Sequence, residues 1–340
     1  MEFRESLIQT ANYMVKKGGG ILAADESTGT CTKRFNGIDV ESTYESRNEY
    51  RSLLFSSPGL NEYINGVILF DETFRQNSID DTSKTIPEYL TSFGILPGIK
   101  VDLGTKPLPN SLLETYTQGI DNLGDRMSEY RDLGAKFAKW RSVIKIDGDN
   151  APSKSCINSN AHGLALYASI CQKNDIVPIV EPEVLMDGNH SIDRCMDVTS
   201  DTLKVVFDYL SMYGVLLEGI VLKPNMILSG ISCTNQASHE EVAEKTFNCL
   251  LSNVPAEVPG IAFLSGGQSM DDAAIHLSIM NEKYTDKMPW NLTFSYGRAL
   301  QEGALKSWAG DGANNKEKMQ QELLFRASNN SNATYGKLSN

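Results

Sequence analysis

Short apolar runs alternate along the chain with longer stretches of helical periodicity. Eight runs read as strands: "GGILAADES" (19–27), "NGVILFDE" (65–72), "PGIKVD" (97–102), "AKFAKWR" (135–141), "DIVPIVEPE" (175–183), "LEGIVLKPN" (217–225), "PGIAFLSGG" (259–267) and "WNLTFSYGR" (290–298). Several are apolar on both faces, as parallel strands covered by helices are. Between them, "NSNAHGLALYASICQKN" (158–174), "SDTLKVVFDYLSMYG" (200–214), "SHEEVAEKTFNCLLSNV" (238–254) and "MDDAAIHLSIMNEKY" (270–284) carry apolar residues three and four apart, the spacing of a helix. Ser238 with Glu241 has the capping-box pattern that opens a helix. The first residues, "MEFRESLIQTANYMVKK", read as an amphipathic helix.

Eight strands alternating with helices predict a (β/α)8 barrel, an α/β fold. A doubly wound open sheet is the competing arrangement. Against it, no GxGxxG follows an early strand, and Gly18-Gly19-Gly20 precedes the first strand as a turn. No linker divides the chain, so residues 1–325 form one expected domain. The stretch 326–340, "RASNNSNATYGKLSN", is polar and is expected to be a flexible tail.

Composition narrows the class. Of 340 residues, 41% are hydrophobic and 22% charged, ordinary for a soluble protein. The net charge of −12 speaks against nucleic acid and anionic membranes as partners. The first helix carries Glu2 and Glu5 and has no continuous apolar core, so it is no signal peptide. No run approaches the ~18 apolar residues of a membrane span. A cytoplasmic enzyme is the expectation. The six cysteines form no CxxC pair and read as free buried thiols. The four histidines lack metal-site spacing, so no metal is expected.

The charges sit at the carboxyl ends of the strands. In chain order these ends carry Asp25 and Glu26, Asp71 and Glu72, Lys100 and Asp102, Lys139 and Arg141, Glu181 and Glu183, and Lys223. Strand side chains alternate with period two, so the pairs at i and i+2 share a face. The carboxyl end of a barrel is where catalytic groups gather. A lone lysine at a strand end ordinarily snorkels to water. Six charged strand ends in succession are hard to explain as solubility alone, and they point Lys223 toward chemistry. The last two strands end in Ser265-Gly266-Gly267 and in Ser295 with Gly297-Arg298. Glycine admits backbone N–H groups to an anion and arginine forks onto its oxygens, so this is a candidate phosphate site.

A neutral lysine amine attacks a carbonyl to form a Schiff base. Burial and neighbouring cations make that amine available, and Lys139, Lys100 and Arg141 are the candidates. Glu181, Glu183 and Asp25 can carry the protons. The iminium serves as electron sink, so no cofactor is expected.

The stretches "GILAADEST", "GVILF", "GIKVD", "FAKWR", "YASICQ", "IVPIVEPE", "LLEGIVLKPNM", "FLSGGQS" and "LTFSYGRAL" resemble those of class I fructose-1,6-bisphosphate aldolases, in order, from about residue 18 to 308. The resemblance implies a barrel, usually tetrameric. It implies reversible cleavage of fructose 1,6-bisphosphate to dihydroxyacetone phosphate and glyceraldehyde 3-phosphate. It assigns Lys223 to the Schiff base, Glu181 to carbinolamine acid–base work and Glu183 to tuning the lysine cluster. Asp25 takes the C4 hydroxyl proton, Lys139 assists the carbinolamine steps, and Lys100 and Arg141 lie along the substrate. Ser265, Gly266, Gly267, Ser295, Gly297 and Arg298 fall at the C1-phosphate end. Ser27, Thr30, Lys33 and Arg34 border the C6-phosphate end. Arg47 is either a substrate-side arginine or a solvated helix charge. Glu26, Asp71 and Glu72 are expected as structural ion-pair partners.

The pattern departs from the family at Leu103, where lysine is common, and in the tail. Family members commonly end in a tyrosine that protonates the enamine, and Tyr335 does not match that position. Either the chain is cut short of that tyrosine or the enzyme lacks it, and the expectation is that cleavage chemistry stands while enamine protonation and bisphosphate preference weaken. Other Schiff-base barrels, or a non-catalytic sugar-phosphate-binding scaffold, are the competing functions.

Overall fold

The computed structural model describes residues 2–338. Eight parallel strands close into a barrel: β1 (Gly20–Ala24), β2 (Ile64–Leu69), β3 (Leu96–Lys100), β4 (Phe137–Ile144), β5 (Val177–Val184), β6 (Val221–Leu222), β7 (Gly260–Phe263) and β8 (Asn291–Tyr296). They follow one another around the barrel in chain order, and β8 pairs with β1. The expected helices appear at Lys154–Lys173, Ile192–Met212, His239–Asn253 and Met270–Tyr284. Ser238 caps the third of these, its side chain accepting from Glu241 N–H.

Period-two alternation sorts the core into two clusters. Outward residues such as Leu22, Trp140, Val180, Leu222 and Phe263 pack beneath the helices. Inward residues Ile21, Ala23, Phe137, Val177, Ile179, Val221 and Ala262 fill the barrel. Gly66 and Gly98 leave the room that the Phe137 ring occupies; a Cβ on Gly98 would overlap that ring. Following each inward row toward the carboxyl end, apolar residues give way to charge: Ile21, Ala23, then Asp25; Phe137, then Lys139 and Arg141; Val177, Ile179, then Glu181 and Glu183; Val221, then Lys223.

The helix Arg4–Met14 plugs the opposite, amino end of the barrel. Its Leu7, Ala11 and Met14, with Val15, join the inward cluster. Leu7 is fully buried there, so Leu7→Ala should cost about 2–5 kcal/mol. Chemical denaturation should show that loss while kcat stays near wild type, because the plug lies below the charged layer.

Three features differ from the sequence reading. The sixth strand shrinks to two residues, because Pro224 has no N–H to continue the ladder. Asn225 takes over, its Oδ1 accepting from Val184 N at 2.9 Å. A small antiparallel hairpin, Thr105–Pro107 with Thr115–Thr117, follows β3. The expected flexible tail from 326 is corrected: it is the last part of a helix, Gly312–Ala333, with Ala327, Asn330, Ser331 and Ala333 buried. Ser331 Oγ donates to Gly18 O at 2.6 Å, and Gly18 N donates to Thr334 Oγ1 at 2.9 Å. Tyr335 meets Lys17 O beside Gly18, at the amino end of the barrel and away from the charged layer. Ser339 and Asn340, the end of that expected tail, lie outside the described residues.

Candidate active site

The carboxyl ends of β1, β4, β5 and β6 bring Asp25, Lys139, Glu181 and Lys223 together inside the barrel. Parallel pairing sets β4 beside β5 with Arg141 level with Glu181, and Lys223 N donates to Val180 O at 2.8 Å. Lys223 Nζ therefore sits 3.3 Å from Glu181 Oε1. The other carboxylate oxygen of Glu181 is 3.2 Å from Lys139 Nζ. That contact is at ion-pair range but not aligned as a hydrogen bond, so Glu181 Oε2 is a buried acceptor with no hydrogen-bond partner among the described residues. Lys139 donates instead to Asp25 Oδ2 at 2.9 Å. Lys139, Glu181 and Lys223 are all buried.

The two lysines are driven apart. Burial pulls the Lys223 ammonium below the ordinary lysine range; the Lys139 cation adds to that, and Glu181 opposes it without prevailing. Burial would pull Lys139 down as well, but Asp25, Glu181 and Asp102 outweigh it and hold Lys139 above the usual lysine range. Burial would lift Asp25, but Lys139 and Lys223 overcome it and hold its carboxyl well below the usual range. The result is one lysine whose pKa is pulled below the ordinary range beside one whose pKa is held above it, with an aspartate held well below the usual carboxylate range between β1 and β4. That is the electrostatic arrangement an amine nucleophile needs.

A second layer surrounds this group. Arg141, partly exposed, donates through Nε to Glu183, and that carboxylate together with Glu181 and Asp102 holds the guanidinium pKa above its ordinary value. Lys100 Nζ folds back onto Asp102, 2.7 Å from Oδ1.

The glycine-rich turns gather at the far side of the same mouth. Gly266 and Gly267 have φ of +57° and +98°, the left-handed region where successive N–H groups converge into a concavity. A Cβ on Gly267 would lie 3.5 Å from Arg298 Nη2, so the two turns touch. Gly267, Gln268, Ser269, Arg298 and Glu302 line a cavity of ≈ 350 Å³. The helix Arg298–Trp308 starts here and points its amino end at the turn. Ser295 Oγ is buried beneath, without a hydrogen-bond partner among the described residues.

The β1 side is built as a brace. Ser27 caps the helix Thr28–Asn36, its side chain accepting from Thr30 N. Arg34 Nη1 donates to Glu26 Oε1 at 2.6 Å. Arg47 is buried, its fork taken by Glu72 at 2.7 Å through both Nε and Nη2, with Nη1 on Ser42. The structure thus gives Arg47 a structural ion pair, and Glu26, Asp71 and Glu72 are ion-pair partners as expected. Sequence reading missed two members of this brace. Arg51 is buried and donates to Glu26 O, and Gln301 Nε2 donates to Ala23 O at 2.7 Å and Glu26 Oε1 at 3.0 Å. An arginine on a helix and a glutamine after a glycine turn carry no local signal of such burial.

Known proteins share this fold and about half of its sequence. The family model for class-I fructose-bisphosphate aldolase matches residues 6–340. The chain belongs to the class I fructose-bisphosphate aldolase family. It is 50% identical over 333 residues to a probable fructose-bisphosphate aldolase class 1 of Xanthomonas campestris, covering 98% of each chain. It is 49% identical to the cytosolic fructose-bisphosphate aldolase 4 of Arabidopsis thaliana, over 97% of this chain and 83% of that one. The solved fructose-bisphosphate aldolase of Plasmodium falciparum, in complex with TRAP and a small-molecule inhibitor, superposes with a TM-score of 0.96 at 47% identity, over 100% of this chain and 97% of that one. The aldolase is thus a carbon–carbon lyase that reversibly cleaves fructose 1,6-bisphosphate. Among the described residues no helix is long and apolar enough to cross a membrane.

Proposed function

We propose that Lys223 is the residue through which this aldolase does its chemistry. The single observation behind the choice is the buried Lys223 amine, its pKa pulled down by burial, 3.3 Å from Glu181. Its nitrogen adds to the C2 carbonyl of fructose 1,6-bisphosphate, and Glu181 takes a proton from that nitrogen and passes it to the carbonyl oxygen, giving the carbinolamine. Recharged with a proton from solvent, Glu181, whose Oε1 lies 3.3 Å from Lys223 Nζ, gives that proton to the carbinolamine hydroxyl, which leaves as water to give the iminium. Lys139 holds Glu181 and Asp25 in register. Asp25 takes the proton of the C4 hydroxyl. The C3–C4 bond breaks, its electron pair moves into the iminium to form an enamine, and glyceraldehyde 3-phosphate leaves. Protonation at C3 and hydrolysis then release dihydroxyacetone phosphate and restore Lys223.

Ser265, Gly266, Gly267, Ser295, Gly297 and Arg298 are assigned to the C1 phosphate, on the strength of the left-handed turn, the helix start and the adjacent guanidinium. Ser27, Thr30, Lys33 and Arg34 are assigned to the C6-phosphate end, with Lys100 and Arg141 along the sugar. Glu183 sets the charge of Arg141 and through it of the cluster. Arg47 is left out of the substrate set, because Glu72 and Ser42 occupy its donors. A homotetramer in the cytoplasm is proposed from the family resemblance, and the net charge of −12 favours small anions held in local pockets over nucleic acid or membrane partners.

Borohydride tests the mechanism class. The enzyme should cleave fructose 1,6-bisphosphate undiminished in excess chelator. It should be inactivated by borohydride only when dihydroxyacetone phosphate is present. Inactivation by chelator, or resistance to borohydride with the ketose bound, would overturn the Schiff-base reading.

A further inference from the structure

The glycine turn is tied to a buried histidine that none of the chemistry above uses. Gln268 follows Gly267 directly. Its backbone N–H and its side-chain Nε2 both donate to Ser265 O, at 2.9 and 3.2 Å, so the residue closes the turn on itself. The remaining polar atom, Gln268 Oε1, lies 2.7 Å from Nδ1 of His276. His276 is buried on the helix Met270–Tyr284, and its Nε2 is 2.9 Å from Nδ1 of His239 at the start of the helix His239–Asn253. His239 Nε2 faces Asp272 Oδ1 at 3.7 Å.

With a neutral His276, one protonation pattern satisfies its two hydrogen bonds. The amide nitrogen of Gln268 is committed to a carbonyl, so Oε1 faces His276 and can only accept. His276 Nδ1 therefore carries the hydrogen. In a neutral ring Nε2 is then an acceptor, so His239 Nδ1 donates to it. Burial, with the His239 ring beside it, pushes His276 down to about 4, so the ring is neutral near pH 7. Donation runs one way, from His239 through His276 and Gln268 to Ser265, and links two outer helices to the turn that faces the cavity.

We propose that His276 is a positioning residue for the anion site: acting through Gln268, it holds the Ser265–Gly267 turn in the shape that receives the substrate's phosphate. The proposal rests on the assignment of that turn to phosphate. A turn with two residues at positive φ has few side-chain contacts of its own to hold it, and the Gln268 amide is the tether on its carboxyl side. The tether stays oriented only while its oxygen has a donor.

Three variants and one spectrum test this. His276→Leu keeps an apolar side chain and removes the donor. His276→Asn returns a donor, Nδ2, close to the place of Nδ1. Arg298→Ala probes the phosphate assignment itself. Losing a hydrogen bond to a charged group should raise KM for fructose 1,6-bisphosphate in Arg298→Ala by roughly 10–100-fold. His276→Leu should raise KM about tenfold, the scale of one buried hydrogen bond, with kcat changed less than about twofold. His276→Asn should bring KM back to within about twofold of wild type. Nitrogen-15 imidazole shifts of the wild-type enzyme should show His276 as the Nδ1–H tautomer. If Arg298→Ala raises KM and His276→Leu does not, the relay falls while the phosphate assignment stands. If neither changes KM, the phosphate assignment falls and the relay with it. A loss in His276→Leu that His276→Asn does not restore would make the residue merely structural and overturn the proposal. Should His276→Leu not fold, the tautomer decides alone: an Nε2–H ring overturns the relay.

Discussion

Lys223→Met should lower kcat/KM for fructose 1,6-bisphosphate by at least about 10⁴-fold, the scale seen when an enzyme loses its nucleophile. The fold should survive the change without loss of stability. Lys223 is buried and its ammonium is held below the ordinary lysine range by burial and by Lys139. The unfolded chain therefore binds a proton at Lys223 that the folded protein holds less firmly. By linkage, stability contributed at this position rises with pH between the lowered folded pKa and the ordinary lysine value, and is absent below that window. At neutral pH the native lysine is thus a cost to the fold, and methionine fills similar volume without it. Glu181 keeps an ion-pair partner in Lys139, 3.2 Å away, so no buried carboxylate is stranded. Thermal unfolding should place Tm at or above wild type, with activity gone. A lowered Tm alongside lost activity would mean that Lys223 serves the fold. In the wild-type enzyme the acid limb of kcat/KM should reflect an amine that titrates below free lysine, with rate falling as pH falls and Lys223 takes up its proton.

Asp25→Asn should lower kcat for cleavage by about 10²–10⁴-fold, the usual contribution of a general base. The amide cannot take the C4 hydroxyl proton. It should leave Schiff-base formation largely intact, because that step uses Lys223 and Glu181. The two activities should therefore separate: slow cleavage of the bisphosphate, with dihydroxyacetone phosphate still trapped by borohydride. The same change weakens the brace around Lys139, which donates to Asp25 Oδ2 at 2.9 Å. Breaking one arm of a buried ion pair costs about 3–5 kcal/mol when the cation is left alone. Here Glu181 remains as partner, so the loss measured by denaturation should fall short of that range. Stopped-flow cleavage together with borohydride trapping reads both halves. Equal loss of cleavage and trapping would remove Asp25 from the C4 step.

The catalytic layer was legible in the sequence because it obeys strand alternation. Lys139 and Arg141, and Glu181 and Glu183, fall on one face at spacing two, and the structure turns that face into the barrel. The same parity placed Asp25 and Lys223 inward, above Ile21 and Val221. What period two cannot say is which charge meets which. Arg47 and a substrate-side arginine look alike on a helix, and only the fold shows that Glu72, 25 residues on, occupies its fork. The final helix was hidden for a different reason. Its end docks through hydroxyls, Ser331 and Thr334 on Gly18, in a stretch too polar to read as packed. The hairpin strands "TKP" and "TYT" are too short and exposed to show alternation. His276 reads in the chain as one histidine on an apolar helix face, and its contacts with Gln268 and His239 come from residues 8 and 37 positions away.

Peptide mass spectrometry of the enzyme reduced by borohydride in dihydroxyacetone phosphate tests the central claim most directly. Three lysines stand at this mouth, Lys100, Lys139 and Lys223; Lys139 and Lys223 are the buried ones, and of these two Lys223 is the one whose pKa is pulled below its ordinary value. The account predicts one reduced adduct, on the peptide that contains Lys223, and none in Lys223→Met. An adduct on Lys139 or Lys100, or none in a folded enzyme that still cleaves the bisphosphate, would contradict it.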